Sequence, residues 1–311
     1  MQNKTIILLF ITLNFFTNSY SQDFSEFYER EDSLVSGFKQ LFANDGTKYF
    51  LSDTEKIKIN NQILEYFNET LDIEESYAYP FDSIKQIGIV YSQDHLLRII
   101  TWNIKFDDGT YKYFGFIQHY NKKKKKFDLW KLNDDSENMN EPLELSLFHN
   151  YWYGCLYYQI IDIKNNGNKV YTLIGWDGNN YLSKKKIVEV LYFTKDGEPG
   201  FGKRIFNMKN PNDKTKYKRL IFEYSAEIVM FIKYEERYKK IVFDHLTPHP
   251  KEMVNKREFY YNDGSYDALN YNGSKWIYIP EFWATNTKED ERPKGEDNPE
   301  LKRSDKLYKP K

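Results

Sequence analysis

The sequence predicts a mainly β, α+β protein: an antiparallel β-meander forming a sandwich or open barrel-like sheet, with two N-terminal helices packed on it. Three observations predict this. Apolar residues recur at helical spacing up to Pro80, alternation of period two takes over from about Ile84, and Asx-Gly turn pairs punctuate the alternating region.

The first 21 residues carry a single cation, Lys4, then an apolar run from Ile6 to Phe16 and small residues Ser19 and Ser21. This is the pattern of a secretory signal peptide, cut before Gln22, with an apolar run too short to span a bilayer. The mature chain is therefore expected to be exported to the periplasm or outside the cell, soluble, and not inserted in a membrane. Cys155 is the single cysteine, so no thiol near the cleavage point offers a lipid anchor and no intrachain disulfide can form.

Residues 22–80 form the helical segment. Phe24, Phe27, Tyr28, Leu34, Val35, Phe38, Leu41 and Phe42 mark one apolar face, ended by Asn44-Asp45-Gly46. Ser52-Asp53-Thr54-Glu55 then has the spacing of a capping box, followed by the buried stripe Ile63, Leu64, Phe67 and Leu71.

Residues 81–286 form the β domain. Asp108-Gly109, Asn166-Gly167, Asp177-Gly178, Asp196-Gly197, Asp263-Gly264 and Asn272-Gly273 supply residues that tolerate the positive φ of tight hairpins. Leu96, Ile100, Trp102, Ile104 and Phe106 share one strand face, and Leu220, Phe222, Tyr224 and Ala226 share another. A further hairpin joins VMFIKY to KKIVFDH through Glu235 to Tyr238. The remaining residues, 287–311, read as a disordered tail: from Lys288 to Lys311, 15 of 24 residues are charged and three are proline.

The blocks YSQDHLLRIITWN (91–103), LIGWDGNN with KKIVEVLYF, IFEYSAE, KIVFDHLTP and NDGSYDA occur in this order over roughly residues 85 to 285. Together they resemble a family of uncharacterised exported proteins of Bacteroidetes-type bacteria. The resemblance implies export and a shared fold, and brings no activity, cofactor or catalytic residue.

Composition narrows the functional classes. Lys and Arg total 45 against 46 Asp and Glu, so a net charge of −1 supplies no long-range field for nucleic acid. The Lys122–Lys126 run reads as a solvated turn. No nucleophile elbow, phosphate-binding loop, zinc-protease helix or EF-hand loop occurs, and no cofactor is expected.

The candidate site residues are few. Glu223, Asp244 and His245 are the catalytic candidates, because two carboxylates flanking one bond are the machinery of a glycosidase and a histidine beside a carboxylate can move protons. His245 and His249 have a spacing two metal ligands can share, but Pro248 and Pro250 forbid the helix that would stack them; the simpler reading is a strand ending at His245 and an exit loop.

Trp176 and Asp177, in GWDGNN, read first as a strand end and turn, and otherwise as a ligand loop with an indole wall. Arg98 falls on the apolar Ile100/Trp102 face, which predicts either a rim position paired with an acid or an anion-gripping guanidinium. The preferred function is a non-enzymatic binding or envelope-associated module for a glycan, lipid or protein partner. A carboxylate-dependent hydrolase acting on glycans, using Asp177, Glu223 or Asp244, and a lipid or small-molecule carrier with a barrel interior are the alternatives.

Overall fold

A computed structural model of the chain describes residues 24–42, 51–208 and 217–283. The signal-like segment, the Asn44-Asp45-Gly46 stop and the charged tail lie outside the described residues. Among the described residues two α-helices, α1 (Ser25–Leu41) and α2 (Asp53–Asp72), precede fifteen short or medium strands. The capping box is formed as its spacing predicts: the Glu55 backbone N–H donates to Ser52 Oγ, and the Ser52 N–H donates to Glu55 Oε2 at 2.8 Å. On α1, Phe27, Leu34, Phe38 and Leu41 are buried, while Tyr28, read as part of the same face, is 60% exposed.

The first sheet has the order β1 (Gly88–Tyr91), β2 (Leu97–Lys105), β3 (Tyr111–Asn121), β4 (Lys126–Asn133), all antiparallel. The second is built on β6 (Leu156–Asn165), β7 (Asn168–Asp177) and β8 (Ser183–Phe193). On the far side of β8, the short β9 (Pro199–Phe201) pairs one end and β11 (Arg219–Ser225) the other, and β5 (Leu147–Phe148) pairs β9. The third sheet runs β10 (Phe206–Asn207), β15 (Trp276–Ile279), β14 (Tyr260–Tyr271), β13 (Lys240–Pro248), β12 (Ile232–Glu235).

Three apolar cores stack these elements into layers. Helix residues such as Phe38 and Phe67 meet Trp102, Ile104 and Phe116 of the first sheet. Leu97, Ile99 and Ile117 on that sheet's other face meet Tyr157, Leu173 and Ile187 of the second. Val170, Ile174 and Val188 of the second sheet then meet Ile241, Phe243 and Trp276 of the third. The order is helices, sheet, sheet, sheet. Of the two expected forms the layered sandwich is the one adopted, and the sheets do not close into a barrel, so the carrier reading loses its barrel interior.

The layering explains a departure from simple alternation. β7 is buried at six successive positions, from Val170 to Gly175, because the middle sheet has a sheet on each face. The expected two-residue turns at Asp108-Gly109, Asn166-Gly167, Asp196-Gly197 and Asn272-Gly273 lie between consecutive strands. Asp263-Gly264 does not: it sits inside β14, where the register with β13 shifts between Asp244 and Leu246, so positive φ serves a bulge there. One pair, β10 with β15, is parallel, against the all-antiparallel expectation. No helix among the described residues is long and apolar enough to cross a membrane.

Candidate functional site

A concavity of about 720 Å3 between the middle and outer sheets gathers several of the sequence candidates. β11 contributes Ile221, Phe222 and Glu223, and β8 contributes Lys185; β13 contributes Phe243 to Leu246, β14 Asp267 and β15 Tyr278. One rim is the loop with Glu141 to Glu144, and the other is the short 3-10 turn bearing Arg257, followed by Tyr260. Glu223, Asp244 and His245, far apart in the chain, therefore share one cleft.

Each of these side chains is held by neighbours. Glu223 Oε1 accepts from Ser183 Oγ at 2.5 Å and from Asn179 Nδ2 at 3.3 Å. Its cross-strand partner is Lys185, whose ammonium donates to Asn179 Oδ1 at 2.7 Å. Asp244 Oδ2 accepts from the Phe231 backbone N–H at 2.7 Å and from Asn262 Nδ2 at 3.4 Å. Asp244 thus holds the backbone at the start of the neighbouring β12, and β13 continues through Pro248 instead of ending at His245.

His245 has a partner that sequence reasoning missed. Its Nδ1 lies 2.8 Å from Oδ2 of Asp267, a nearly buried carboxylate that also accepts from Tyr278 Oη at 2.7 Å and from the Glu281 backbone N–H at 3.1 Å. Asp267 fixes the imidazole ring while the remaining edge of His245 is partly open to the cleft. Asp267 stands opposite Phe243, two residues from His245 on the same strand, which makes it a diagonal neighbour of His245 across the β13–β14 pair. No local motif in NDGSYDA announces that pairing.

His249 does not join them: it precedes Pro250, packs edge-on against Tyr261 and does not line the cleft. Among the described residues no group of three or more His, Cys, Asp or Glu is arranged to hold a metal ion.

Trp176 and Asp177 are also elsewhere. Trp176 packs edge-on against Tyr111 at 5.9 Å. Asp177 is buried, accepts from Tyr113 Oη at 2.8 Å and the Asn179 N–H at 2.7 Å, and lies 3.8 Å from the Lys185 ammonium. Burial raises its carboxyl above the ordinary value despite Lys185. Gly178 is required beside it because the Tyr111 ring covers the backbone, 2.5 Å from where a Cβ would stand. GWDGNN is a structural bend, with its carboxylate spent on the turn and on Tyr113.

Arg98 does not take the rim position expected for it. It is 0% exposed, so it occupies no rim, and among the described residues no acid pairs with it. Its guanidinium donates to Gln118, to the Ser76 and Tyr79 carbonyls and to Tyr91 Oη, and rests against the Tyr77 and Phe81 rings. It fastens the 3-10 segment Glu74–Ala78 to the first sheet.

A second buried arginine shapes the cleft. Arg219 stands opposite Glu189 on paired strands, its Nε 3.0 Å from Glu189 Oε2, and donates to the carbonyls of Pro142 and Leu145. These carbonyls belong to the loop that forms one rim. No protein-family model matches the chain, and neither does any curated protein or solved structure.

Proposed function

We propose that the protein is an exported binding module whose ligand occupies the cleft between the middle and outer sheets. The observation that carries this reading is the lining itself. Apolar Phe222, Tyr260 and Tyr278 alternate with acceptors Glu223 and Asp244 and donors Lys185, Arg257 and His245 around about 720 Å3. Such a lining suits a ligand with hydroxyls on its edge and C–H groups on its face, which is the chemistry of a glycan. The signal-like first 21 residues support export.

The carboxylates are committed to Ser183, Asn179, Phe231 and Asn262, so their geometry is fixed before any ligand arrives. Preorganised acceptors lower the ordering cost of binding. The hydrolase alternative keeps Glu223 and Asp244 in one cleft but loses Asp177, which is buried behind Lys185 and does not line the cleft.

Calorimetric titration of the mature chain with neutral, acidic and amino oligosaccharides is expected to yield a saturable binder. Arg257→Ala, at an exposed rim position, and Phe222→Ser are each expected to weaken it by tenfold or more. Undiminished affinity in both variants overturns the reading. So does turnover of the same oligosaccharides that is lost in Glu223→Gln or Asp244→Asn.

A further inference from the structure

The antiparallel meander places several hairpin tips at one end of the first and middle sheets. There the β3–β4 turn, the β8–β9 turn and the start of β7 surround a depression of about 280 Å3, which shares no lining residue with the cleft. Lys122 and Lys123 come from the first turn, Lys195 from the second and Lys169 from β7.

The two turns are locked together. Lys123 Nζ donates to the Lys195 carbonyl at 3.2 Å, and Gly197, at φ +91°, approaches so closely that a Cβ would lie 3.0 Å from Asn121 Nδ2. Asn121 Oδ1 accepts the backbone N–H groups of Lys123 and Lys124, which fixes the lysine turn itself. The lysines therefore converge on a preset frame and not on a mobile loop.

The carboxylates nearby are mostly engaged. Asp128 is bound by Lys124 and Asn121, and Asp94 and Asp162 bind Lys169. Glu198 faces His149 at 3.5 Å, leaving Asp196 as the exposed acid on the turn. Among the described residues no carboxylate pairs with Lys122, Lys123 or Lys195. Four lysines, Lys122, Lys123, Lys169 and Lys195, line the depression and no carboxylate does, so its lining is positive within a chain of net charge −1.

The walls are aromatic. The His119 ring stacks on Phe193 with centroids 3.5 Å apart, and Tyr171 meets Phe193 edge-on. His119 Nδ1 is buried behind the ring with no hydrogen-bond partner among the described residues. A bare inorganic anion would use the ammonium groups and leave this wall idle. A duplex or a long polyanion would not enter so small a space.

We infer that this depression binds the phosphate or sulfate ester of a single sugar-sized group, with Lys122, Lys123 and Lys195 on the anion and the half-buried His119 and Phe193 rings against the sugar. The site is independent of the cleft reading.

The test is titration of the mature chain, followed by amide NMR shifts, with glucose 6-phosphate, glucose 6-sulfate, glucose and inorganic phosphate. At least one ester is expected to bind tenfold or more tightly than both glucose and inorganic phosphate, with shifts centred on residues 119–123 and 193–197. Lys122→Gln with Lys195→Gln is expected to reduce that affinity at least tenfold. The charge-matched Lys125→Gln with Lys126→Gln pair, on the same turn but outside the lining, is expected to change it less than twofold. Equal loss in the two double variants, equal binding of inorganic phosphate, or no binding of either ester overturns the inference.

Discussion

Arg98 and Gln118, directly opposite each other on β2 and β3, form a fully buried pair in which the guanidinium donates through Nε to Gln118 Oε1 at 2.8 Å. Gln118 in turn donates to the Leu71 carbonyl and Ser76 Oγ, so one cross-strand pair closes the C-terminal end of α2. Burial lowers the tendency of Arg98 to stay charged, and the ring and carbonyl contacts compensate it.

Arg98→Ala leaves Gln118 Oε1 and the Tyr79 carbonyl without donors, removes one of the two donors of the Ser76 carbonyl and opens a cavity, so a loss of about 3 kcal/mol or more is expected. Arg98→Met keeps the contact with Tyr77 and Phe81 and is expected to cost less. Urea unfolding of both variants measures the difference; two variants within 1 kcal/mol of the parent, a margin set by ordinary surface substitutions, would refute the role.

The Glu189–Arg219 pair makes a related prediction with a functional consequence. Both side chains are 0% exposed, and Glu189 Oε1 also accepts from Tyr157 Oη at 2.5 Å. Glu189→Ala strands a buried guanidinium, at an expected cost of about 3–5 kcal/mol. Replacing both by apolar residues, Glu189→Leu with Arg219→Met, is expected to recover part of the stability. It also frees the Pro142 and Leu145 carbonyls, so hydrogen exchange should rise selectively around residues 141–145 at the rim of the cleft.

His119 supplies a pH dependence. Burial lowers its pKa from 6.5 to about 4, so between those values the unfolded chain binds the proton and the folded chain does not. Stability from this group is therefore complete above pH 6.5 and declines as pH falls toward 4. The expected loss at pH 5 is on the order of 1 kcal/mol for this partly exposed ring. His119→Phe keeps an aromatic ring on Phe193 and removes the titration. The Tm difference between parent and variant should shift in the variant's favour from pH 7 to pH 5, and an unchanged difference would remove His119 as the cause.

Local chemistry made the helices and most turns legible. Ser52 and Glu55 satisfy each other's backbone within one turn, and Asn166-Gly167 needs only its own φ angles to reverse a chain. The same local logic misread Asp263-Gly264, since positive φ serves a bulge as readily as a hairpin and only the strand opposite decides between them. The candidate site was half legible. Glu223, Asp244 and His245 do converge, but Asp267, Lys185 and Arg257 reach the cleft through strand order and cross-strand register, which no short window of residues encodes. Arg98 was correctly placed on its strand face; its missing acid partner depended on Gln118, twenty residues away.

Cys155 gives the last prediction, one that tests the packing of the first sheet on the second. It is completely buried among Tyr157, Leu173 and their neighbours, and burial pushes its thiol well above the usual value. Since the thiolate is the reactive form, alkylation in the native state requires the layers to part. Labelling by iodoacetamide is expected to be negligible in buffer and to rise with denaturant along the global unfolding curve. Gly175→Ala should change this, because a Cβ there would stand 2.7 Å from Cys155 Sγ and 3.3 Å from the Leu156 carbonyl. Overpacking at such a contact costs about 1–3 kcal/mol, so the variant should label earlier in denaturant by a corresponding shift. Rapid labelling of the parent in buffer would mean that the first and second sheets separate far more readily than their shared apolar core allows.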